Sequence, residues 1–214
     1  MNRELCGITE TYLSPLLGRV DAHRRTGAEQ LHRRGTAIPG DLLDLWRWSA
    51  SDFLTNTARG LLAEYIVAKA LDVSTSGVRD GWAVFDLLTP SGIKVEVKSG
   101  AYLQSWFQDK LSAISFSTKQ STAWNPDTNK FEGTRRQQAD VYVFALLAHK
   151  DKATLDPLDV TQWEFYVAPT RTLAKRPGNP ASISLGPLRK LGVSACAFGD
   201  LAAAVRSVFE HLSA

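Results

Sequence analysis

Ile93-Lys94-Val95-Glu96-Val97-Lys98-Ser99 alternates as a half-buried strand does, and the fold is read outward from it. A period of two places Glu96 and Lys98 on one face and Val95 and Val97 on the other. Just upstream, Thr89-Pro90-Ser91-Gly92 is turn chemistry, and residues 82–88 are again rich in aromatic and β-branched side chains, so the two segments predict a hairpin. Its short turn brings Asp86, within Ala83-Val84-Phe85-Asp86-Leu87-Leu88, beside Glu96 across the ladder, with Cβ atoms roughly 5 Å apart. Two carboxylates at that distance repel unless a cation lies between them. A hard divalent ion such as Mg²⁺ meets the need, because one or two carboxylates bind it together with waters and phosphate oxygens.

Glu-x-Lys by itself carries no weight, since average composition produces it roughly 0.7 times in a chain of 214 residues. What gives it meaning is the strand Asp ten residues earlier, the apolar context on both sides, and an acid on the helix before them. That helix is predicted over residues 57–71, with Leu61, Leu62, Tyr65, Ile66 and Ala70 as its apolar face and Asn56 or Thr57 as its N-cap. Glu64 is its anomaly. The residues one turn away are Gly60, Leu61, Val67 and Ala68, none of them cationic, so Glu64 either reaches solvent at the edge of the stripe or faces a cleft.

Beyond the hairpin, residues 112–118, 140–149 and 162–168 read as further strands. The one containing Tyr142, Phe144 and Leu146 is almost continuously apolar, which predicts a central strand buried on both faces. Residues 199–212 read as a closing amphipathic helix through Leu201, Val205, Val208, Phe209 and Leu212. Residues 1–50 read as a helical extension. Tyr12, Leu13, Leu16 and Leu17 recur at helical spacing, Leu42, Leu43, Leu45, Trp46 and Trp48 follow the Pro39-Gly40 break, and the intervening arginines read as a solvated helix face. The order of elements predicts an α/β fold, a central mixed β-sheet flanked by helices, with residues 51–214 as one compact domain.

Composition narrows the function classes. The apolar runs fall far short of the ~18 residues of a membrane span, and the polar start lacks a signal-peptide core, so a cytoplasmic, membrane-independent protein is expected. Two distant cysteines, Cys6 and Cys196, make neither a disulfide framework nor a Cys-x-x-Cys metal signature. Phosphate-loop, His-Glu-x-x-His and Gly-x-Ser-x-Gly motifs are absent, and no fingerprint of an organic cofactor appears. The net charge of +3 decides nothing, but its distribution is uneven. Residues 119–138 read as a polar loop carrying Lys119, Lys130, Arg135 and Arg136 with Trp124 and Phe131, as fit to clamp a strand as to be a mere insertion. Arg171, Lys175, Arg176, Arg189 and Lys190 form a second basic region without an acid.

Taken together, residues 59–147 resemble the restriction-endonuclease-like, or PD-(D/E)XK, nuclease superfamily in their order of helix, Asp strand, Glu-x-Lys strand, third strand and central strand. Phe85 stands where the nominal motif has proline, and the helix expected after the third strand is missing from residues 119–138. The resemblance implies a metal-dependent endonuclease that hydrolyses phosphodiester bonds, DNA first, using Mg²⁺ with Mn²⁺ as a substitute. It assigns metal binding to Asp86 and Glu96, water activation to Lys98, a further acid to Glu64 and a ligating carbonyl to Val97. Ser99 and Gln104, downstream of the lysine, are placed to touch a phosphate or a water or to cap a turn, and Lys119, Arg135 and Arg136 to bind nucleic acid. Many members of the superfamily cut two strands as dimers, which makes a homodimer the matching expectation. The alternative is a catalytically inactive nucleic-acid-binding or assembly module that keeps the fold.

Overall fold

The arginine-rich stretch near the N-terminus closes as a hairpin instead of a helix: β1 (Gln30–Arg33) pairs antiparallel with β2 (Thr36–Asp41). Arg34 and Gly35 between them both have positive φ, 50° and 87°, the condition of a two-residue I′ turn that no helix accommodates. The helix expected after the Pro39-Gly40 break is α1 (Leu42–Ala50), capped by Asp41, whose carboxylate accepts the Asp44 N–H at 2.8 Å. A computed structural model describes residues 17–178 and 180–213 of the chain. Cys6 and the apolar positions Tyr12, Leu13 and Leu16 lie outside the described residues.

Helix α2 (Asn56–Ala70) starts one residue earlier than its periodicity suggests, because Thr55 supplies the cap through its hydroxyl. Its buried face is also narrower and smaller than expected: Ala63, Ile66 and Val67 enter the core, whereas Leu61 and Tyr65 are exposed. Small side chains let α2 lie close on the sheet. After it, β3 (Leu87–Leu88) pairs antiparallel with β4 (Lys94–Ala101) across the expected turn, where Thr89 Oγ1 accepts the Ile93 N–H at 2.9 Å and Gly92 takes a positive φ of 84°. Residues 82–86 do not extend β3, and Trp82 is exposed.

Next come β5 (Ser115–Ser117), β6 (Ser121–Asn125), β7 (Lys130–Arg136), β8 (Val141–Leu147), β9 (Trp163–Pro169), α3 (Thr170–Ala174), β10 (Ser182–Ser184), α4 (Leu185–Lys190), β11 (Ala195–Cys196) and α5 (Leu201–Ser213). The central sheet has the order β11-β9-β8-β4-β3, with β4 and β8 parallel and every other pair antiparallel. It is the mixed sheet that the sequence predicts, and β8, buried at all seven positions, sits at its centre. On one face, Val95, Val97, Val143 and Ala145 pack under α2 and α5. On the other, Tyr142, Phe144, Leu146 and Tyr166 are covered by Phe116 of β5, Ile183 of β10, Leu173 and Leu188.

Two elements depart from expectation. β5 is not in the central sheet but pairs with β10 in a separate two-stranded layer over its face. Residues 119–138 are not a loop but an antiparallel ribbon of β6 and β7, with a bulge between Ser121 and Ala123. Among the described residues no helix is long and apolar enough to cross a membrane.

Candidate active site

The alternation of β4 sends Val95 and Val97 into the core beneath α2 and leaves Glu96 and Lys98 on the other face, on the rungs of Tyr142 and Phe144 of β8. Leu87 pairs with Val95 and Leu88 with Lys94, and Asp86 stands just before this ladder, near enough for its charge to act on Glu96. Asp86 is pinned there twice. Its N–H donates to the Val95 carbonyl at 3.1 Å, and its Oδ2 accepts the Val97 N–H at 2.7 Å. The carboxylate therefore stands in for a ladder bond that β3 has ceased to make, and this fixes its orientation at the strand end.

Glu64 faces a cleft. The Arg79 side chain donates to it through Nε and through a second nitrogen at 2.9 Å from Oε1, and that same guanidinium lies 3.8 Å from Asp86 Oδ1. Arg79 is the residue that reading the sequence missed, although a signal was present. An acid with no cation on its own helix needs one from elsewhere, and Arg79 is the only basic residue between positions 72 and 85. The cleft, about 480 Å³, is lined by Leu61, Glu64, Tyr65, Val78, Arg79 and Asp86 among others.

Lys98 donates a hydrogen bond to Glu96 Oε1, and both side chains are partly buried. The Glu96 carboxyl is nevertheless held above its ordinary range, first by burial, then by the negative charge of Asp86, with Glu64 adding to it and Lys98 opposing. Burial, then Glu96 and Asp86, likewise raises the Tyr142 hydroxyl. Three acids from three elements thus share one field. Their oxygens are directed at Arg79, Lys98 and the Val97 N–H, and among the described residues no three His, Cys, Asp or Glu side chains are gathered into a metal-ready cluster. The donors are chemically suited to a hard divalent ion, being carboxylate oxygens in a negative, partly desolvated field.

The remaining predicted residues lie elsewhere. Ser99 falls on the Val97 side of the β4 alternation, away from Glu96 and Lys98. Gln104 is buried in the turn after β4, where its amide donates to the Ala101 carbonyl at 3.2 Å and to Ser112 Oγ at 3.3 Å. Lys119, Arg135 and Arg136 are exposed on and beside the ribbon. Of the second basic region, Arg176 is used to tie Leu173, Ser182 and Pro180 carbonyls to Thr118, and Arg189 binds Tyr166 Oη at 2.7 Å.

The family model for bacteriophage T4 endonuclease IV matches residues 46–185, about two thirds of the chain. The matched span takes in Glu64, Arg79, Asp86, Glu96, Lys98 and the whole ribbon. No curated protein matches the chain.

Proposed function

Because the chain belongs to the bacteriophage T4 endonuclease IV family, we propose that it hydrolyses phosphodiester bonds in DNA with Mg²⁺ at the Asp86, Glu96 and Lys98 cluster, in the manner of PD-(D/E)XK nucleases. The observation that carries this reading is the Asp86 carboxylate pinned on the Val97 N–H of β4 with its charge acting on Glu96, and Lys98 hydrogen-bonded to Glu96. Asp86 and Glu96 would hold the ion, with Glu64 and the Val97 carbonyl as further oxygen donors. Mg²⁺ supplies Lewis acidity toward the phosphoryl group and lowers the pKa of water.

The chain's own groups do the rest. The Val97 N–H keeps Asp86 aimed at the site, and Glu96 keeps the Lys98 ammonium from swinging to solvent. Lys98 orients the attacking water and offsets charge that develops on the phosphate oxygens in the transition state. The test is Mg²⁺-dependent cleavage of plasmid and single-stranded DNA by wild type, Glu96→Ala and Lys98→Ala, with folding followed by circular dichroism. A loss of about 100-fold or more is expected in each folded variant. Unchanged cleavage in both would overturn the assignment.

A second reading has one observation in its favour: Arg79 already occupies oxygens of Glu64 and lies beside Asp86. A nucleic-acid-binding module without turnover would show salt-sensitive DNA binding and no cleavage under any divalent ion.

A further inference from the structure

Among the described residues the ribbon of β6 and β7 pairs with no third strand. It is a two-stranded sheet, and all seven residues of β7 are exposed. Two strands alone are marginal in water, and what holds these is local. Trp124 and Phe131 meet edge to face with centroids 5.0 Å apart, and Asn125 donates to Glu132 Oε1 at 2.8 Å. The base is firm: Gln137, buried, donates to the Thr118 carbonyl at 3.2 Å, and Arg176 donates to Thr118 Oγ1 at 2.8 Å.

Charge distinguishes this arm from an idle insertion. Over residues 119–136 four basic side chains, Lys119, Lys130, Arg135 and Arg136, face two acids, Asp127 and Glu132. Asp127 is paired with Arg19 at 3.3 Å, and Glu132 accepts from Asn125 and Thr128. Among the described residues no salt bridge engages any of the four cations. Arg135 and Arg136 each give Nε to a neutral acceptor at 3.3 Å, which leaves their outer nitrogens toward solvent. The acid cluster, by contrast, is negative and repels a polyanion until cations are added. A substrate of that charge needs holding from nearby.

The chain supplies the proximity. Gln137 at the base of the ribbon stands five positions before Tyr142, the rung neighbour of Glu96, a span of at most roughly 18 Å even if fully extended. A seven-residue strand runs for roughly 23 Å, and duplex DNA presents a charge about every 1.7 Å of its axis.

We propose that the β6–β7 ribbon is a basic arm that grips the phosphodiester backbone of a nucleic-acid strand beside the acid cluster through Lys119, Lys130, Arg135 and Arg136. The nuclease reading identifies the ligand, and the arm deepens that reading by naming how the substrate is held. The test measures anisotropy of fluorescein-labelled 30-mer DNA, single-stranded and duplex, with the full chain in EDTA from 50 to 200 mM KCl. In the variant Lys130→Ser/Arg135→Ser/Arg136→Ser, affinity at 100 mM KCl should fall at least tenfold and the slope of log affinity against log salt should be shallower by about 2 to 3. A matched variant, Arg25→Ser/Arg33→Ser/Arg34→Ser, loses the same charge elsewhere and should keep the wild-type slope. Glu132→Gln, which retains the acceptor for Asn125, should tighten binding and so tests the arm without removing any of its basic side chains.

An unchanged slope in the ribbon variant overturns the arm, as does an equal loss in the matched variant. A ribbon variant that changes only the oligomeric state overturns it too, and assigns the surface to a second copy of this chain. Wild-type protein that binds through the arm but never cleaves DNA with Mg²⁺ supports the arm and removes the hydrolysis reading. Cleavage with an unaltered slope in the variant does the reverse.

Discussion

Arg79 occupies the position in the charge balance that a metal ion would take, with its guanidinium on Glu64 and Asp86. The hydrogen bond to Glu64 raises its hold on the proton, against burial and with the charges of Glu64 and Asp86, so the cation is permanent. A divalent ion that takes those oxygens must displace it. Arg79→Ala is therefore expected to bind Mn²⁺ several-fold more tightly by titration calorimetry. Its cost to metal-free stability should be about 1 kcal/mol or less, because the pair is half open to solvent on the arginine side. Weaker Mn²⁺ binding in the variant would mean that Arg79 organises the acids instead of competing for them. Glu96 carries a second consequence. Burial and Asp86 raise its folded pKa, so the folded protein holds that proton more tightly than the unfolded chain, and stability falls as the pH rises through the carboxylate range. In metal-free protein Glu96→Gln should raise the melting temperature at pH 7, and the gain should shrink as the pH is lowered toward 4. A gain that grows on acidification would contradict the sign.

Strand β4 shows how closely two layers meet under the site. A Cβ built on Gly100 would lie 3.1 Å from Phe116 Cε1 and 3.6 Å from Ile114 Cγ2, because β5 crosses the sheet at that point. Gly100→Val forces β5 off the face and should cost about 1–3 kcal/mol in denaturant unfolding. Wild-type stability would place β5 elsewhere. The sequence revealed β4 and β8 well, because alternation and a continuous apolar run are properties of the segment itself. It could not reveal that β5 leaves the central sheet for β10, since that pairing joins residues 115–117 to residues 182–184, far apart in the chain. The ribbon was hidden for a related reason: its strands are polar and exposed, and they carry no periodic apolar signal. At the site, turn length put Asp86 near Glu96 but could not show that the ladder ends before it, with its carboxylate taking the Val97 N–H, and Glu64 stood out as an acid without a helix partner. Arg79 came from a segment without periodicity, where only the count of cations between positions 72 and 85 pointed to it.

The whole molecule divides by burial. Hairpin β1–β2 is exposed at every position but Asp41, and α1 buries no residue, whereas Leu54 and everything in α2 that faces inward joins the core. Among the described residues, links from this N-terminal part to the rest include Arg24 donating to the Ser76 carbonyl at 2.6 Å and Arg19 paired with Asp127. Apolar burial is the dominant favourable term in folding, so a part that contributes little of it adds little to the stability of the remainder. The family match, which begins at residue 46, omits the hairpin as well. A fragment of residues 51–214 is accordingly expected to unfold in one cooperative transition within about 4 °C of the full chain, a shift that corresponds to roughly 1 kcal/mol at this size. Differential scanning calorimetry of the two proteins at one pH and salt concentration measures it. The same fragment keeps Glu64, Asp86, Glu96, Lys98 and the ribbon, so its Mg²⁺-dependent cleavage should stay within a few-fold of the full chain. A fragment that melts far lower, or that keeps its melting temperature but loses cleavage, would make the N-terminal part a working piece of the nuclease core instead of an appendage to it.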